Sequence, residues 1–262
     1  MANKAKQFLK FIDSLELFQR DAMGQFILIK RIIMFLFGFL TYFRLRVYNK
    51  TCIKGTEYLD DLPNKGVLFL PNHQTYFMDV VCLYHIFFSV KWGFRNTINY
   101  PIYLIAPPSN LFYVAAFETM RKDGVLPVLL AQAGAILVNR TWRASGEDVQ
   151  REVDTKAIDN IENTLKEGWV ISFPQGTTKP FAPLRKGTAH LIKNVNPIVV
   201  PVKIDGFRRA FDKKGLLMKK RGVNLQVEFK EPIRFDPDQD IDSILERISQ
   251  ELAITNNLNE LD

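Results

Sequence analysis

The feature that most restricts the fold of this chain is a series of short apolar runs, five to seven residues each, alternating with helical patterns. Residues 66–71 (GVLFLP) sit between turn-forming Pro63-Asn64 and Asn72. They are too few for a helix and suit a buried strand. Residues 135–139, 169–173 and 198–204 read the same way, and 223–229 alternates sides as a half-covered strand does. Residues 79–90, 126–134, 189–193 and 241–252 read as helices. Residues 146–167 place Val149, Val153, Ala157, Ile161 and Leu165 at i, i+4 spacing, one face of an amphipathic helix that Gly168 ends. Strands separated by helices predict an α/β fold, a single domain with a mixed, largely parallel sheet flanked by helices. A length of 262 residues with 47% hydrophobic content suffices for such a core, and no Gly/Ser-rich linker marks a second globular unit.

Charge divides the chain at about residue 48. Six of the seven net positive charges lie in residues 1–50. Within this arm, residues 26–43 (FILIKRIIMFLFGFLTYF) form an apolar block whose longest uncharged run, 32–43, has twelve residues. A spanning helix needs about 20 apolar residues, so crossing the bilayer is disfavoured unless Lys30 and Arg31 snorkel. Nucleic-acid binding calls for polar side chains and isolated aromatics between the cations, which this block lacks. A helix lying in the headgroup boundary, with basic ends on anionic phosphates, fits better. The competing reading is a core helix packed on the domain, but the cations have no acidic complement. The expected division is therefore a membrane-associating arm, 1–48, and a domain, 49–262, at the cytoplasmic face of a membrane as a peripheral or monotopic protein. Residues 96–117 are also uncharged, but Pro101, Pro107 and Pro108 break any helix there. They read as a loop or short helices followed by a strand near 111–115, lining an acyl pocket, touching the membrane, or plain core.

Two cysteines and three histidines make a disulfide framework or a zinc cage improbable, and no metal is expected. Chemistry points instead to two strand ends, where open α/β sheets bind ligands. The first is Pro71-Asn72-His73-Gln74-Thr75-Tyr76-Phe77-Met78-Asp79, in which an Asp can orient a His as general base. The second is Phe173-Pro174-Gln175-Gly176-Thr177-Thr178-Lys179, where Gly176 permits close backbone approach and Lys179, Arg185 and Lys186 suit an anionic substrate.

Together these segments resemble the glycerolipid acyltransferase family, which includes the lysophosphatidate acyltransferases. Four blocks appear in order over about residues 50–235. They are Asn72-His73 with Asp79, Gly134–Arg140, Phe173–Thr178 followed by Lys186-Gly187 and Leu191, and the apolar strand Val199-Val200-Pro201-Val202. The resemblance implies a role in phospholipid biosynthesis. It implies that His73 deprotonates an acceptor hydroxyl with Asp79 as partner, and that acyl-CoA or acyl-carrier protein serves as co-substrate without a further cofactor. It implies substrate binding by Arg140, Phe173, Pro174, Gln175, Gly176, Thr177, Lys179 and Lys186, with the backbone of Gly176 and Thr177 able to hold an oxyanion. Membrane lipids are the implied partners, and no nucleic acid.

Three departures from the family pattern bear on this. Five residues, not four, separate His73 from Asp79. On one regular helix the two would point about 240° apart, so His73 must lie in the loop before the helix. Gln175 stands where the family has Glu, and Thr178 where it has an Arg expected to bind the acceptor phosphate. The acceptor is therefore lysophosphatidate or a phosphate-free lyso-lipid such as an aminolipid or glycolipid. The remaining alternative is a non-catalytic lipid-binding protein on the same fold.

Overall fold

The computed structural model describes residues 19–120, 125–139, 143–144, 147–148 and 155–254. Helix α1 (Ile27–Tyr42) runs into a π-helical turn, Phe43–Val47. Strands β1 (Lys50–Lys54) and β2 (Val67–Pro71) follow, then helix α2 (Met78–Lys91). A 3₁₀ turn at Pro101–Leu104 leads to β3 (Leu111–Ala116), the short α3 (Phe117–Met120), α4 (Val125–Ala131) and β4 (Ala135–Val138). β5 (Arg143–Ala144) and β6 (Glu147–Asp148) form a separate two-stranded ribbon. The chain continues through α5 (Thr155–Leu165), β7 (Trp169–Ile171), α6 (Lys186–Val195) and β8 (Ile198–Asp205). It ends in α7 (Phe207–Ala210), β9 (Asn224–Phe229) and α8 (Ile241–Glu251).

Among the described residues the main sheet has seven strands in the order β1-β9-β8-β2-β7-β3-β4, and β8–β9 is its one antiparallel pair. This is the mixed, mostly parallel α/β sheet that the alternating pattern predicts. Central strands are covered on both faces. In β2, Val67 and Phe69 join the core beneath α1 and α2, while Leu68 and Leu70 join the core beneath α5, α6 and α8. That two-sided burial explains why the run is apolar throughout rather than alternating.

Two local readings change. The helix expected over 146–167 is described over Thr155–Leu165, where Ala157, Ile161 and Leu165 form its buried face. Glu147 and Asp148 instead pair with Arg143 and Ala144. Gly146, a poor helix residue, falls between the paired segments. Val149 and Val153 lie outside the described residues.

Lys30 is the second correction. It does not snorkel but is fully buried, its ammonium 2.9 Å from the buried Asp21 carboxylate and 3.8 Å above the Phe112 ring. Burial lowers its pKa to about 8 against the opposing pull of Asp21. Gly134 makes room for it. That residue has φ +98°, and a Cβ there would lie 3.0 Å from the Lys30 Nζ and collide with the Leu111 carbonyl. Thus α1 is both a core helix and an unpartnered apolar surface. Ile33, Met34 and Gly38 face inward, while Ile29, Ile32, Phe35, Leu36, Phe39, Leu40 and Phe43 are 41–65% exposed.

A buried polar knot joins α1 to the body. The His85 Nε2 lies 3.0 Å from the Thr41 Oγ1, and its Nδ1 lies 2.8 Å from the Tyr103 hydroxyl. Thr41 donates to the Phe37 carbonyl, so it accepts from a neutral imidazole that in turn accepts from Tyr103. Burial depresses the His85 pKa to about 3. Below the ordinary His value the unfolded chain binds a proton that the folded chain refuses. His85 therefore leaves stability unchanged above about pH 6.5 and removes about 1.4 kcal/mol per pH unit between there and its folded pKa. Urea unfolding at pH 7 and pH 5 should show this loss, and His85→Gln should flatten it.

Candidate active site

Parallel register delivers the two chemical segments to one edge of the sheet. Phe69 of β2 stands opposite Ile171 of β7, and Pro71 opposite Val202 of β8. The loops after all three strands therefore emerge together. His73 lies in the first loop, five residues before α2, and Asp79 is the second residue of that helix. The extra residue between them is taken up in the loop, as the spacing requires.

The His73 Nδ1 is 3.0 Å from the Asp79 Oδ2. The same oxygen accepts the backbone N–H groups of Gln74 (2.6 Å) and Thr75 (3.0 Å), and Oδ1 accepts the Thr75 hydroxyl (2.7 Å). Every partner donates, which a fully buried carboxylate matches. With the Nδ1 proton given to Asp79, Nε2 is the nitrogen left to take a proton from a ligand. The imidazole stacks on Phe173, centroids 3.8 Å apart, so its plane is fixed from both blocks. Asp212–Leu216 backs the loop. Lys213 and Lys214 carbonyls accept the N–H groups of Tyr76 and Phe77, and Gly215, at φ +78°, is so close that a Cβ would lie 2.7 Å from the Met78 nitrogen.

The structure brings His73, Phe173, Pro174 and Gly176 together around a cleft of about 230 Å³, with Arg185, Gly187 and Thr188 across it. The Gly176 N–H does not point to an oxyanion role. It closes the turn onto the Phe173 carbonyl at 3.0 Å, which corrects that part of the expectation. Gln175 is buried behind the cleft. Its Oε1 accepts the His73 N–H (3.2 Å) and its Nε2 donates to the Ala182 carbonyl (2.9 Å). This explains the departure from Glu, since an amide supplies the acceptor and the donor that these two backbone groups need. The Thr177 hydroxyl accepts from the Lys179 N–H. Lys179 is exposed and lines a different cleft, together with Thr178 and Arg208. Lys186, also exposed, faces Asp242 at 3.4 Å. Arg140 lies outside the described residues.

Sequence reasoning missed Gln74 and Arg208. The Gln74 side chain donates to the Ile204 carbonyl (3.0 Å) and accepts from the Phe207 N–H (2.9 Å), fixing the first loop to the end of β8. The Arg208 Nη2 donates to the His73 carbonyl (2.9 Å) and the Thr178 carbonyl (2.7 Å), fixing the first loop to the second. The pair Arg208-Arg209 after Gly206 was the available signal.

A half-buried imidazole oriented by a fully buried carboxylate, at converging strand ends and beside an apolar core, is chemically able to take up and return a proton. The comparisons agree on the class. Residues 50–205, more than half the chain, match the family described as Acyltransferase. The chain belongs to that acyltransferase family. Among solved structures it is similar to the 1-acyl-sn-glycerophosphate (LPA) acyltransferase PlsC from Thermotoga maritima. The TM-score is 0.53 and the identity 15%, over 84% of this chain and 75% of that one, a likeness of fold. No curated protein matches the chain by sequence.

Proposed function

We propose that this acyltransferase moves a fatty acyl group from acyl-CoA or acyl-carrier protein to the free hydroxyl of lysophosphatidate, giving phosphatidate at a membrane surface. The observation that carries the reading is the His73–Asp79 pair on a cleft that adjoins an apolar cavity. That cavity, about 40 Å³ between α1 and α2, shares Phe77, Val80 and Tyr113 with the cleft and gives the cleft an apolar wall. His73 Nε2 takes the proton of the acceptor hydroxyl as its oxygen bonds to the thioester carbonyl carbon. The carbon–sulfur bond then breaks, and the leaving thiolate recovers the proton from the imidazolium. Asp79 holds the imidazole in the required tautomer and stabilises its charged form. The thioester is already activated, so no enzyme nucleophile is needed. The similar structure is that of an LPA acyltransferase, which supports the same acceptor class. The test is acyl transfer to lysophosphatidate against phosphate-free lyso-aminolipids and lyso-glycolipids, with both donor types. Lysophosphatidate is expected to be preferred by tenfold or more, roughly the contribution of one charge-assisted contact. Preference for a phosphate-free acceptor overturns the assignment.

The membrane part of the proposal rests on the outer face of α1. Gly38 of α1 packs on Leu104, and the same 3₁₀ region exposes Ile102 and Ile105. No helix among the described residues is long and apolar enough to cross a membrane. A face lying in the headgroup boundary accounts for both facts. Deleting the arm would strip the core, so the variant of choice is Phe35→Ser/Leu36→Ser/Phe39→Ser/Leu40→Ser. It should keep the wild-type unfolding transition and lose at least about tenfold in partition to anionic vesicles, given the apolar area removed. Undiminished sedimentation with vesicles would dismiss α1 as the docking face.

A further inference from the structure

Positive charge on the body of the molecule is concentrated in one place. Residues 51–262 carry a net charge of +1, yet residues 213–221, Lys-Lys-Gly-Leu-Leu-Met-Lys-Lys-Arg, hold five cations and no acid. They form the outer part of the excursion between β8 and β9, which leaves the sheet at the same edge as the His73 loop. The excursion is ordered. Phe211 is buried and bridges to Met218, and the Asp212 carboxylate accepts the N–H groups of Leu216 (2.8 Å) and Leu217 (2.9 Å). That turn holds the Leu217 side chain 70% exposed, and among the described residues no large apolar side chain is more so. Lys214, Lys220 and Arg221 are exposed in the same segment. The excursion is also fastened to the end of α1. The Arg44 Nη1 donates to the Leu216 carbonyl (2.5 Å), the Gly222 N–H donates to the Tyr48 carbonyl (2.7 Å), and the Arg221 guanidinium lies 4.7 Å from the Tyr48 ring. Phe43, Val47 and Tyr48, in and just after the π-helical turn, are exposed as well. Exposed apolar side chains between clusters of cations are the pattern of a surface that enters a headgroup boundary, apolar groups inward and cations among anionic headgroups. An acidic protein would match the charge, but continuity with the exposed apolar face of α1 favours a bilayer.

We propose that residues 213–221 dock on an anionic bilayer, with Leu217 in the headgroup boundary and Lys214, Lys220 and Arg221 among the anionic headgroups. This surface is additional to the outer face of α1 and extends it past the π-helical turn. It is joined to the site backbone to backbone. The Lys213 and Lys214 carbonyls accept the N–H groups of Tyr76 (3.1 Å) and Phe77 (3.0 Å), in the loop that carries His73. Docking of the excursion therefore sets the cleft at a fixed height over lipid-borne acceptor. The effect on acyl transfer rests on the function proposed above, whereas docking is measured without turnover.

Partition of the full chain is measured on vesicles of phosphatidylcholine alone and of phosphatidylcholine with phosphatidylglycerol. Lys214→Ser/Lys220→Ser and Leu217→Ser change exposed side chains, and Lys65→Ser/Lys166→Ser removes the same charge at the opposite edge of the sheet, beside the start of β2. The double variant at 214 and 220 should weaken binding to the phosphatidylglycerol vesicles by about tenfold or more, Leu217→Ser by about fivefold, and the control by less than about twofold. Apparent KM for lysophosphatidate carried in those vesicles should rise in parallel, while kcat and the KM for a short-chain, monomeric lysophosphatidate stay within about twofold. Full partition by both excursion variants while acyl transfer proceeds overturns the docking surface and leaves the function standing. Equal weakening in the control reduces the effect to net charge and overturns it too. An equal rise in KM for the monomeric acceptor would place the cations in the substrate site rather than on the bilayer. Weaker binding of acyl-carrier protein with unchanged vesicle binding would assign the surface to an acidic protein instead. If the excursion variants weaken partition but no lyso-lipid is acylated, the function is wrong and the docking surface stands.

Discussion

His73→Ala is expected to lower acyl transfer by about 10²–10⁴-fold, the usual contribution of a positioned general base. Under the proposed mechanism the loss falls on kcat, because a general base acts on the proton in flight rather than on ground-state binding. The fold should survive. His73 sits in a loop, and its side chain bonds one partner, Asp79. Its N–H bond to Gln175 is made by the backbone and remains in the variant. Asp79→Asn is a poorer probe, since an amide would set its own N–H groups against donors from Gln74, Thr75 and His73. Stopped or discontinuous assays with matched circular dichroism spectra decide the matter. Wild-type turnover by His73→Ala would remove the imidazole from the mechanism.

Lys30→Ala should cost about 3–5 kcal/mol of stability, the effect of removing one partner from a buried pair. Asp21 would keep its charge with its side chain 4% exposed, and the ring of Phe112 would lose its cation. The Asp21 Oδ1 still accepts the N–H groups of Met23 and Gln25, so the segment before α1 retains some anchorage. The double variant Asp21→Asn/Lys30→Met removes both charges and should recover much of the loss, because the uncompensated carboxylate is the larger part of the cost. Urea unfolding of the wild type, the single and the double variant measures the difference. A single variant within about 1 kcal/mol of wild type would show that the pair is effectively solvated.

The contrast between these two residues marks how far the sequence could be read. His73 and Asp79 were legible because their chemistry and strand-end position are local. Apolar runs bounded by turn residues located β2, β7 and β8, and parallel register then brought their loops together. The burial of Lys30 is not legible because its partner lies nine residues away across a turn closed by the Arg20–Phe26 bridge, which no helical periodicity encodes. A lysine beside an apolar block looks the same whether it reaches water or a buried carboxylate. β1 was not singled out because Lys-Thr-Cys-Ile-Lys is half polar, and its pairing with β9 joins segments more than a hundred residues apart in the chain. His85 drew no notice because a fully bonded imidazole leaves no mark on the surrounding pattern. Gln175 looked like a lost charge, whereas its amide answers one backbone donor and one backbone acceptor.

The three loops at the sheet edge are cross-braced by side chains that each belong to a different segment. Gln74 reaches from the first loop to the end of β8, Gln175 from the second to the first, and Arg208 from the third to both. Such bracing couples the blocks energetically. A residue swapped in from a relative at one block meets backbone partners shaped by this chain's other two, so its effect depends on what accompanies it. Epistasis between positions 74, 175 and 208 is the expected counterpart of that geometry: substitutions there should combine non-additively, because each side chain holds backbone of a neighbouring block.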